Sequence, residues 1–326
     1  MSKLRVAVLC GGRSGEHEIS LRSAESILAG LDAAKYDAQR IFITKEGRWE
    51  PRAISPEPGG NPGIDVVFPV LHGTFGEDGT VQGLLELAGL PYVGAGVLAS
   101  SVSMDKDVMK RLCAQRGLPV VESITVLRGR YRMEDICGRF PFPVFVKPAN
   151  LGSSVGISQA KSCEELQAAL DLAGRYDSKI IVERAIAGRE FECSVLGNQE
   201  PLAAAPCEII PSREFYDYED KYLLDAARMI VPAPVTPEQA AEIERLAVAC
   251  YRAVECEGMG RVDFLMESAT GKIYINEINT IPGFTSISMY PKMWEVAGVS
   301  FRELLDRLIE LALERHRRRE ETRFTR

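Results

Sequence analysis

The chain has 326 residues, 46% of them hydrophobic, which is enough for two or three compact domains with their own cores. A net charge of -7 argues against nucleic-acid binding as the main task, since that favours a basic face. No apolar run approaches the ~18 residues of a membrane helix, and Val6 to Cys10 is too short for a signal sequence, so a cytoplasmic location is expected.

The amino-terminal third opens with an apolar strand, Leu4 to Cys10, then the turn Gly11-Gly12-Arg13-Ser14-Gly15 and a helical run from about Ile19 to Leu31. Asp65 to Leu71 reads as a second buried strand ending at His72-Gly73, and Thr80 to Leu87 as a helix. Strands alternating with helices imply a parallel sheet whose ligands gather at the carboxyl ends of the strands, where Glu16, His17, Glu18 and His72 follow. The glycines do not make a dinucleotide fingerprint, and the acidic residue of that motif is missing from its context, which argues against an oxidoreductase. Arg48 to Gly63 is rich in proline and glycine and carries no motif.

A second unit begins near Ser103, a candidate cap for a helix running to Gly117 with Lys106 near its start. Phe142 to Pro148 reads as a strand ending in Lys147, followed by Gly152-Ser153-Ser154-Val155-Gly156 and another strand through Ile157. Ser162 and Glu165 have the spacing of a capping box, and Lys179 to Glu183 forms a further strand.

The third unit starts at Gly188 to Glu192 with strand alternation. Pro206 to Ile230 is a long polar stretch rich in tyrosine, of the kind that covers substrates. Thr236-Pro237-Glu238-Gln239 predicts a capped helix to about Val254, and Phe301 to about Arg315 an amphipathic one. The basic run Arg315 to Arg319 reads as a solvated helix end. Eight scattered cysteines without C-x-x-C spacing, and only three histidines, suggest neither zinc nor a disulfide, so all eight are expected as small buried apolar residues.

Arg261-Val262-Asp263 and Asn276-Glu277-Ile278-Asn279 flank the turn Ser268 to Gly271. Side chains on a strand alternate, so Arg261 and Asp263 share one side of the first strand and Glu277 and Asn279 one side of the second; paired as a hairpin, they can bring two carboxylates and an amide together. Such hard oxygen donors suit magnesium, although a polar strand face with surface ion pairs fits the spacing too. An ammonium at Lys147, ending an apolar strand, calls for an anionic partner such as phosphate, and the loop 152–156 can fold N-H groups over phosphate oxygens or simply join two strands. Glu183 and Glu190 are candidate acceptors for ribose hydroxyls, or surface carboxylates. Arg261 and the Gly283 N-H are candidates to stabilise an oxyanion, with an Arg261–Asp263 ion pair as the alternative. Glu16 can hold a substrate ammonium, oriented by His72, or complement a helix dipole.

These motifs together resemble the D-alanine–D-alanine ligases of the ATP-grasp superfamily over almost the whole chain. The resemblance rests on Glu16-His17-Glu18-Ile19-Ser20-Leu21, Leu71-His72-Gly73 with Gly76 to Gly83, Ser103-Met104-Asp105-Lys106, Val146-Lys147-Pro148 with 152–156, Phe215-Tyr216-Asp217-Tyr218 with Lys221-Tyr222, and the hairpin from Arg261 to Asn279. It implies an α/β fold, α+β in parts: a three-domain ATP-grasp enzyme with an amino-terminal Rossmann-like domain (1–102) and two units clasping ATP (103–187 and 188–326). It implies ATP at Lys106, Lys147, Ser153, Ser154, Glu183, Ala185, Ile186 and Glu190, and two magnesium ions, or manganese, at Asp263, Glu277 and Asn279. The first D-alanine would sit at Glu16 and His72, and the second at Lys221, Ser288 and Met289. Arg261 and Gly283 would stabilise the oxyanion. Glu16, Ser153 and Tyr222 would close the active-site loop; Tyr222, with an ordinary pKa near ~10, suits positioning better than taking a proton from an amine near ~8. The loop follows the dipeptide-forming pattern and not the histidine-bearing loop of depsipeptide ligases that use D-lactate. A homodimer serving peptidoglycan-precursor synthesis completes what the resemblance implies. A non-catalytic nucleotide-binding protein on the same scaffold would lack Arg261 or the metal ligands, and all are present.

Overall fold

The computed structural model describes residues 3–152, 155–210, 228–285 and 288–323. It contains three sheets, each built from one stretch of chain. The first has the order β3-β2-β1-β4, from β1 (Leu4–Gly11), β2 (Tyr36–Ile43), β3 (Trp49–Glu50) and β4 (Val66–Pro69), with β1 parallel to β2 and β4. Val6, Val8 and Cys10 point into one apolar cluster and Ala7 and Leu9 into another; all five are fully buried, as alternation in a sheet covered on both faces requires. Helix α1 (His17–Gly30) packs on the first face, and α2 (Thr80–Leu87) on the second. Gly11 turns the chain at φ +88°, and a Cβ there would strike the Ile43 carbonyl, so glycine is obligatory.

Two helices follow, α3 (Val97–Met104) and α4 (Lys106–Gln115). Ser103 does not cap α4, contrary to expectation: it lies buried within α3, and Asp105 is the cap, accepting a hydrogen bond from the Val108 N-H at 3.1 Å. The central sheet is antiparallel, β5-β8-β6-β7, from β5 (Ser123–Leu127), β6 (Val144–Pro148), β7 (Ser158–Ala160) and β8 (Lys179–Arg184). It is backed by α5 (Met133–Cys137) and α6 (Cys163–Ala173). Ser162 caps α6, but only half of the expected box forms, because the Glu165 carboxylate takes the Lys161 N-H instead. Cys137 and Cys163 are joined as a disulfide between α5 and α6, which corrects the expectation for those two; the other six cysteines are free and buried.

The third sheet runs β12-β11-β9-β13-β14, with β10 beside β9. It comprises β9 (Gly188–Gly197), β10 (Leu202–Ala203), β11 (Cys207–Ile210), β12 (Arg228–Ile230), β13 (Gly258–Glu267) and β14 (Ile273–Asn279). The stretch 206–230, read as an irregular loop, is therefore strand at both described ends. Helix α7 (Pro237–Ala253) opens with the full Thr236–Gln239 capping box, a feature contributing about 1 kcal/mol. Its Ile243, Leu246 and Tyr251 pack beneath Val262, Phe264 and Met266 of β13. Arg261 and Asp263 consequently emerge on the opposite, open face. Ala99 of α3 and Met109 and Cys113 of α4 belong to this same cluster, so α4 is anchored under the third sheet.

Helices α8 (Met289–Val296) and α9 (Phe301–Glu320) end the described chain. Leu304, Leu305, Leu308 and Ile309 of α9 pack against Val6, Val8 and Phe68, so the last helix closes a face of the first sheet. Its basic run is not a solvated end. Arg315 donates to the carbonyls of Tyr92, at 2.8 Å, and Gly94, and lies over the Tyr92 ring; Arg318 pairs with Glu257, and Arg319 with Glu86 at 2.9 Å. Among the described residues no helix is long and apolar enough to cross a membrane.

Candidate active site

The hairpin of β13 and β14 has the register its sequence suggested: Arg261 opposite Asn279, and Asp263 opposite Glu277. A bulge follows, with Phe264 opposite Ile275, leaving Asn276 as the extra residue. Strict alternation would send Asn276 to the far face. The bulge brings it instead into the cleft beside Glu277, where its Oδ1 lies 3.4 Å from Lys147 Nζ. Arg261 binds Asp263 through two N-H groups at 2.7 and 2.8 Å and reaches Glu192 of β9 at 3.2 Å. Burial disfavours its charge, but Asp263 and Glu192 more than compensate and hold the guanidinium pKa well above its usual range. The ion pair weighed against the oxyanion role is thus present, and the same guanidinium also borders the cavity described below.

A cleft of about 560 Å³ lies between the central and third sheets. Lys106, Lys147, Glu183, Ala185, Ile186, Glu190, Asp263 and Glu277 all line it, uniting the expected nucleotide positions that fall in the described residues with two of the three expected metal positions; the third, Asn279, faces the neighbouring cavity. Lys106 Nζ donates to the Leu151 carbonyl at 2.8 Å and sits 3.3 Å from Glu277. Both Glu183 oxygens face ammonium groups, Lys147 and Lys110 Nζ each at 2.7 Å. Burial alone would raise the Glu183 pKa, yet Lys110 and Lys147 overcome it and hold the carboxyl down at about 2. For Lys147 the balance likewise favours charge: burial opposes it, and Glu183 wins.

A second cavity of about 400 Å³ adjoins the first, sharing Gly152, Glu192 and Glu277 as walls. Glu16, His72, Arg261, Asn279, Gly283, Ser288 and Met289 line it, all of them expected around the substrates or the metal. Glu16 occupies the cap position of α1, but its side chain makes no capping bond; it is nearly buried beside the cavity. Gly73, at φ +75°, leaves it room, since a Cβ there would come within 2.9 Å of Glu16 Oε2. His72 does not bond Glu16. Its Nδ1 lies 3.0 Å from the Ile281 carbonyl and its Nε2 3.1 Å from Ser23 Oγ, which accepts from the Phe284 N-H. With Nδ1 protonated, one chain of hydrogen bonds ties α1 to the turn carrying Gly283. Burial lowers the His72 pKa despite Glu16 nearby, which suits the neutral ring this chain needs. Glu77 grips the same turn from its other side, accepting from the Gly73 N-H at 2.6 Å and the Ile281 N-H at 3.3 Å. Burial, reinforced by Glu16, pushes the Glu77 carboxyl up to about 8. Ser288 Oγ lies 2.8 Å from Thr285 Oγ1, and the amino terminus of α8 opens on the cavity beside it, a favourable place for a carboxylate.

Asp263, Glu277 and Asn279 supply two carboxylates and an amide on one face, the donor chemistry magnesium prefers. In the free protein Arg261 and the Asn279 amide hold Asp263, and Lys106 holds Glu277, so these charges are paired and ready for exchange. The residues fit the ion. No cluster of three His, Cys, Asp or Glu side chains suited to a metal occurs among the described residues, in keeping with a set in which the third donor is an amide.

Two family models match most of the chain. The model described as D-ala D-ala ligase N-terminus matches residues 5–62 and 50–95, and that described as D-ala D-ala ligase C-terminus matches 112–310. A D-alanine–D-alanine ligase of Solibacter usitatus is 68% identical over 324 residues, covering 99% of this chain and 100% of the relative. The chain belongs to the D-alanine–D-alanine ligase family. A ligase of this name from Heliobacterium modesticaldum is 46% identical, covering 98% of this chain and 97% of its own. Among solved structures, the D-alanine-D-alanine ligase of Coxiella burnetii superposes with a TM-score of 0.89 at 40% identity, over 98% of this chain and 97% of its own. The VanG D-Ala:D-Ser ligase of Enterococcus faecalis gives 0.88 at 37%, over 95% and 100%. The ligase thus has the three-sheet ATP-grasp architecture of its relatives.

Ser153, Ser154, Lys221 and Tyr222 lie outside the described residues. Sequence reasoning missed Lys110, Asn276, Glu192 and the role of Glu77. Lys110 stands four residues after Lys106 and Glu192 two after Glu190, each on the same face as its predicted neighbour, so periodicity carried both signals. Asn276 was hidden by the bulge.

Proposed function

We propose that this ligase joins two molecules of D-alanine with hydrolysis of ATP, through an acyl phosphate, to supply D-alanyl-D-alanine for peptidoglycan precursors in the cytoplasm. The carrying observation is that the lysine-lined cleft and the Glu16–Arg261 cavity meet at Glu277. A nucleotide in one can therefore present its γ-phosphate to an amino acid in the other. In this reading the division 1–102, 103–187 and 188–326 separates the substrate domain from the two units that clasp ATP.

Lys106 and Lys147 bind the polyphosphate, with Ser153 and Ser154 closing over it, while Glu183, Glu190, Ala185 and Ile186 receive the nucleoside. Asp263, Glu277 and Asn279 hold two magnesium or manganese ions, which supply charge neutralisation at the transferring phosphoryl group. Glu16 holds the ammonium of the first D-alanine. The carboxylate of that D-alanine attacks the γ-phosphate, forming the acyl phosphate and ADP. The amine of the second D-alanine, oriented by Lys221, Ser288 and Met289, then attacks the acyl carbon, and phosphate leaves. Arg261 and the Gly283 N-H stabilise the tetrahedral oxyanion, and His72 fixes the turn that bears Gly283. Tyr222 closes the site with Glu16 and Ser153. The family resemblance supports a homodimer.

The test is phosphate release from ATP with magnesium, with and without D-alanine, and mass analysis of the product. Release that requires D-alanine and yields the D,D-dipeptide is expected; release indifferent to D-alanine overturns the reading. D-serine and D-lactate as competitors measure the choice of second substrate, for which the dipeptide pattern of 215–222 predicts D-alanine over D-lactate.

A further inference from the structure

Lys110 is almost wholly buried on α4, one turn beyond Lys106, and it is not among the residues lining the nucleotide cleft. Its Nζ lies 2.7 Å from Glu183 Oε1, while Lys147 Nζ lies 2.7 Å from Glu183 Oε2, with side-chain exposures of 4%, 3% and 11% for Lys110, Glu183 and Lys147. Its other polar neighbour is the Val121 carbonyl at 3.4 Å. Burial lowers the Lys110 pKa and the Glu183 carboxylate opposes that; with all three groups charged the string holds two cations and one anion, the inner cation lying behind the cleft wall.

A lone Glu183–Lys147 pair would be neutral and self-satisfied. Moving Lys147 onto a phosphate would then strand a buried carboxylate, which is strongly unfavourable. With Lys110 behind it, Glu183 keeps a partner after Lys147 departs. We infer that Lys110 is a positioning residue for ATP, a standing counterion to Glu183 that frees Lys147 to exchange its carboxylate for the polyphosphate. Lys106 is placed for a parallel exchange: Glu277, 3.3 Å away, is a carboxylate that a bound metal would take over. The cation behind the acid also keeps the string one charge positive, which favours a polyanion in the cleft. This inference rests on the larger cleft being the ATP site.

The experiment uses the full chain with ATP, magnesium and D-alanine, comparing Lys110→Met, Lys147→Met, Glu183→Gln and Lys110→Met/Glu183→Gln. Lys147→Met is expected to raise KM for ATP at least about tenfold, and an unchanged value would overturn both the cleft reading and this inference. Lys110→Met should also raise it at least about tenfold, with KM for D-alanine altered less than about twofold. In the Glu183→Gln background Lys110→Met should add less than about twofold to that variant's own KM for ATP, because no carboxylate at 183 then needs a counterion. A normal KM for ATP in Lys110→Met beside an impaired Lys147→Met overturns the inference alone. A Lys110→Met effect as large in the Glu183→Gln background as in the parent does the same, since it makes Lys110 a packing residue. If Lys110→Met does not fold, recovery of folding in the double variant supports the pairing, and failure of both to fold overturns it.

Discussion

Replacing Arg261 by lysine keeps the charge and removes the fork. The guanidinium makes two N-H bonds to Asp263 and a third contact to Glu192, and these two acids are register partners across β13 and β9. Like charges directly opposite on a sheet repel, so the arginine is what allows Asp263, Glu192 and Glu277 to stand together. One ammonium cannot serve both Asp263 oxygens and still reach Glu192. Losing a hydrogen bond to a charged group costs about 1.5 to 3 kcal/mol, and an ammonium that recovers part of it leaves a net loss of about 2 kcal/mol. At the reaction centre the loss is larger, since removing one oxyanion donor lowers kcat by about 100 to 1,000-fold. Phosphate release at saturating ATP and D-alanine, with denaturant unfolding alongside, separates the two effects. The expected result is a hundredfold-range fall in kcat with modestly lower stability and little change in KM for ATP. A kcat within about threefold of the parent would refute the assignment of Arg261 to the oxyanion.

Glu77 gives the unfolding free energy a pH dependence of definite sign. Its folded pKa of about 8 lies above the ordinary 4.5, so the folded state holds a proton that the unfolded state has released. Stability should decline as pH rises from about 4.5 to about 8, and Glu77→Gln should flatten that slope; a slope unchanged in the variant would show that another group causes it. Arg315→Met removes two charged hydrogen bonds and a cation–π contact, and should cost about 2 to 3 kcal/mol in denaturant unfolding, whereas a loss below about 0.5 kcal/mol would return the basic run to the role of a solvated end. Tyr222→Phe should lower turnover moderately; total inactivity with normal ATP binding would instead assign proton transfer to the hydroxyl.

Much of the architecture was readable because short-range rules governed it. The apolar run Val6 to Cys10, the proline-started helix after Thr236 and the alternation around Asp263 each announce their elements with local chemistry. What escaped was decided by distant partners. Arg315 is indistinguishable in sequence from Arg317, and only the approach of Tyr92 and Gly94, more than 200 positions earlier, turns it into a clamp. The lysine partner of Glu183 went unseen, because nothing near it in sequence shows that α4 brings Lys110 up behind it. The Cys137–Cys163 link likewise depends on how α5 meets α6, which cysteine spacing alone does not encode. Ser103 lost the cap to Asp105 because the preceding helix runs on through Met104.

The packing of α9 has a consequence for how the polypeptide is made. Val6, Val8 and Phe68 leave the ribosome long before Leu304, Leu305 and Leu308, which help to cover them. That side of the first sheet, covered until then in part by α1, must therefore wait incompletely closed while the intervening chain is made, a period in which such surfaces attract chaperones or stray neighbours. Closure of this face is thus tied to the arrival of α9, and a nascent chain cut short before residue 301 is left with part of it sticky.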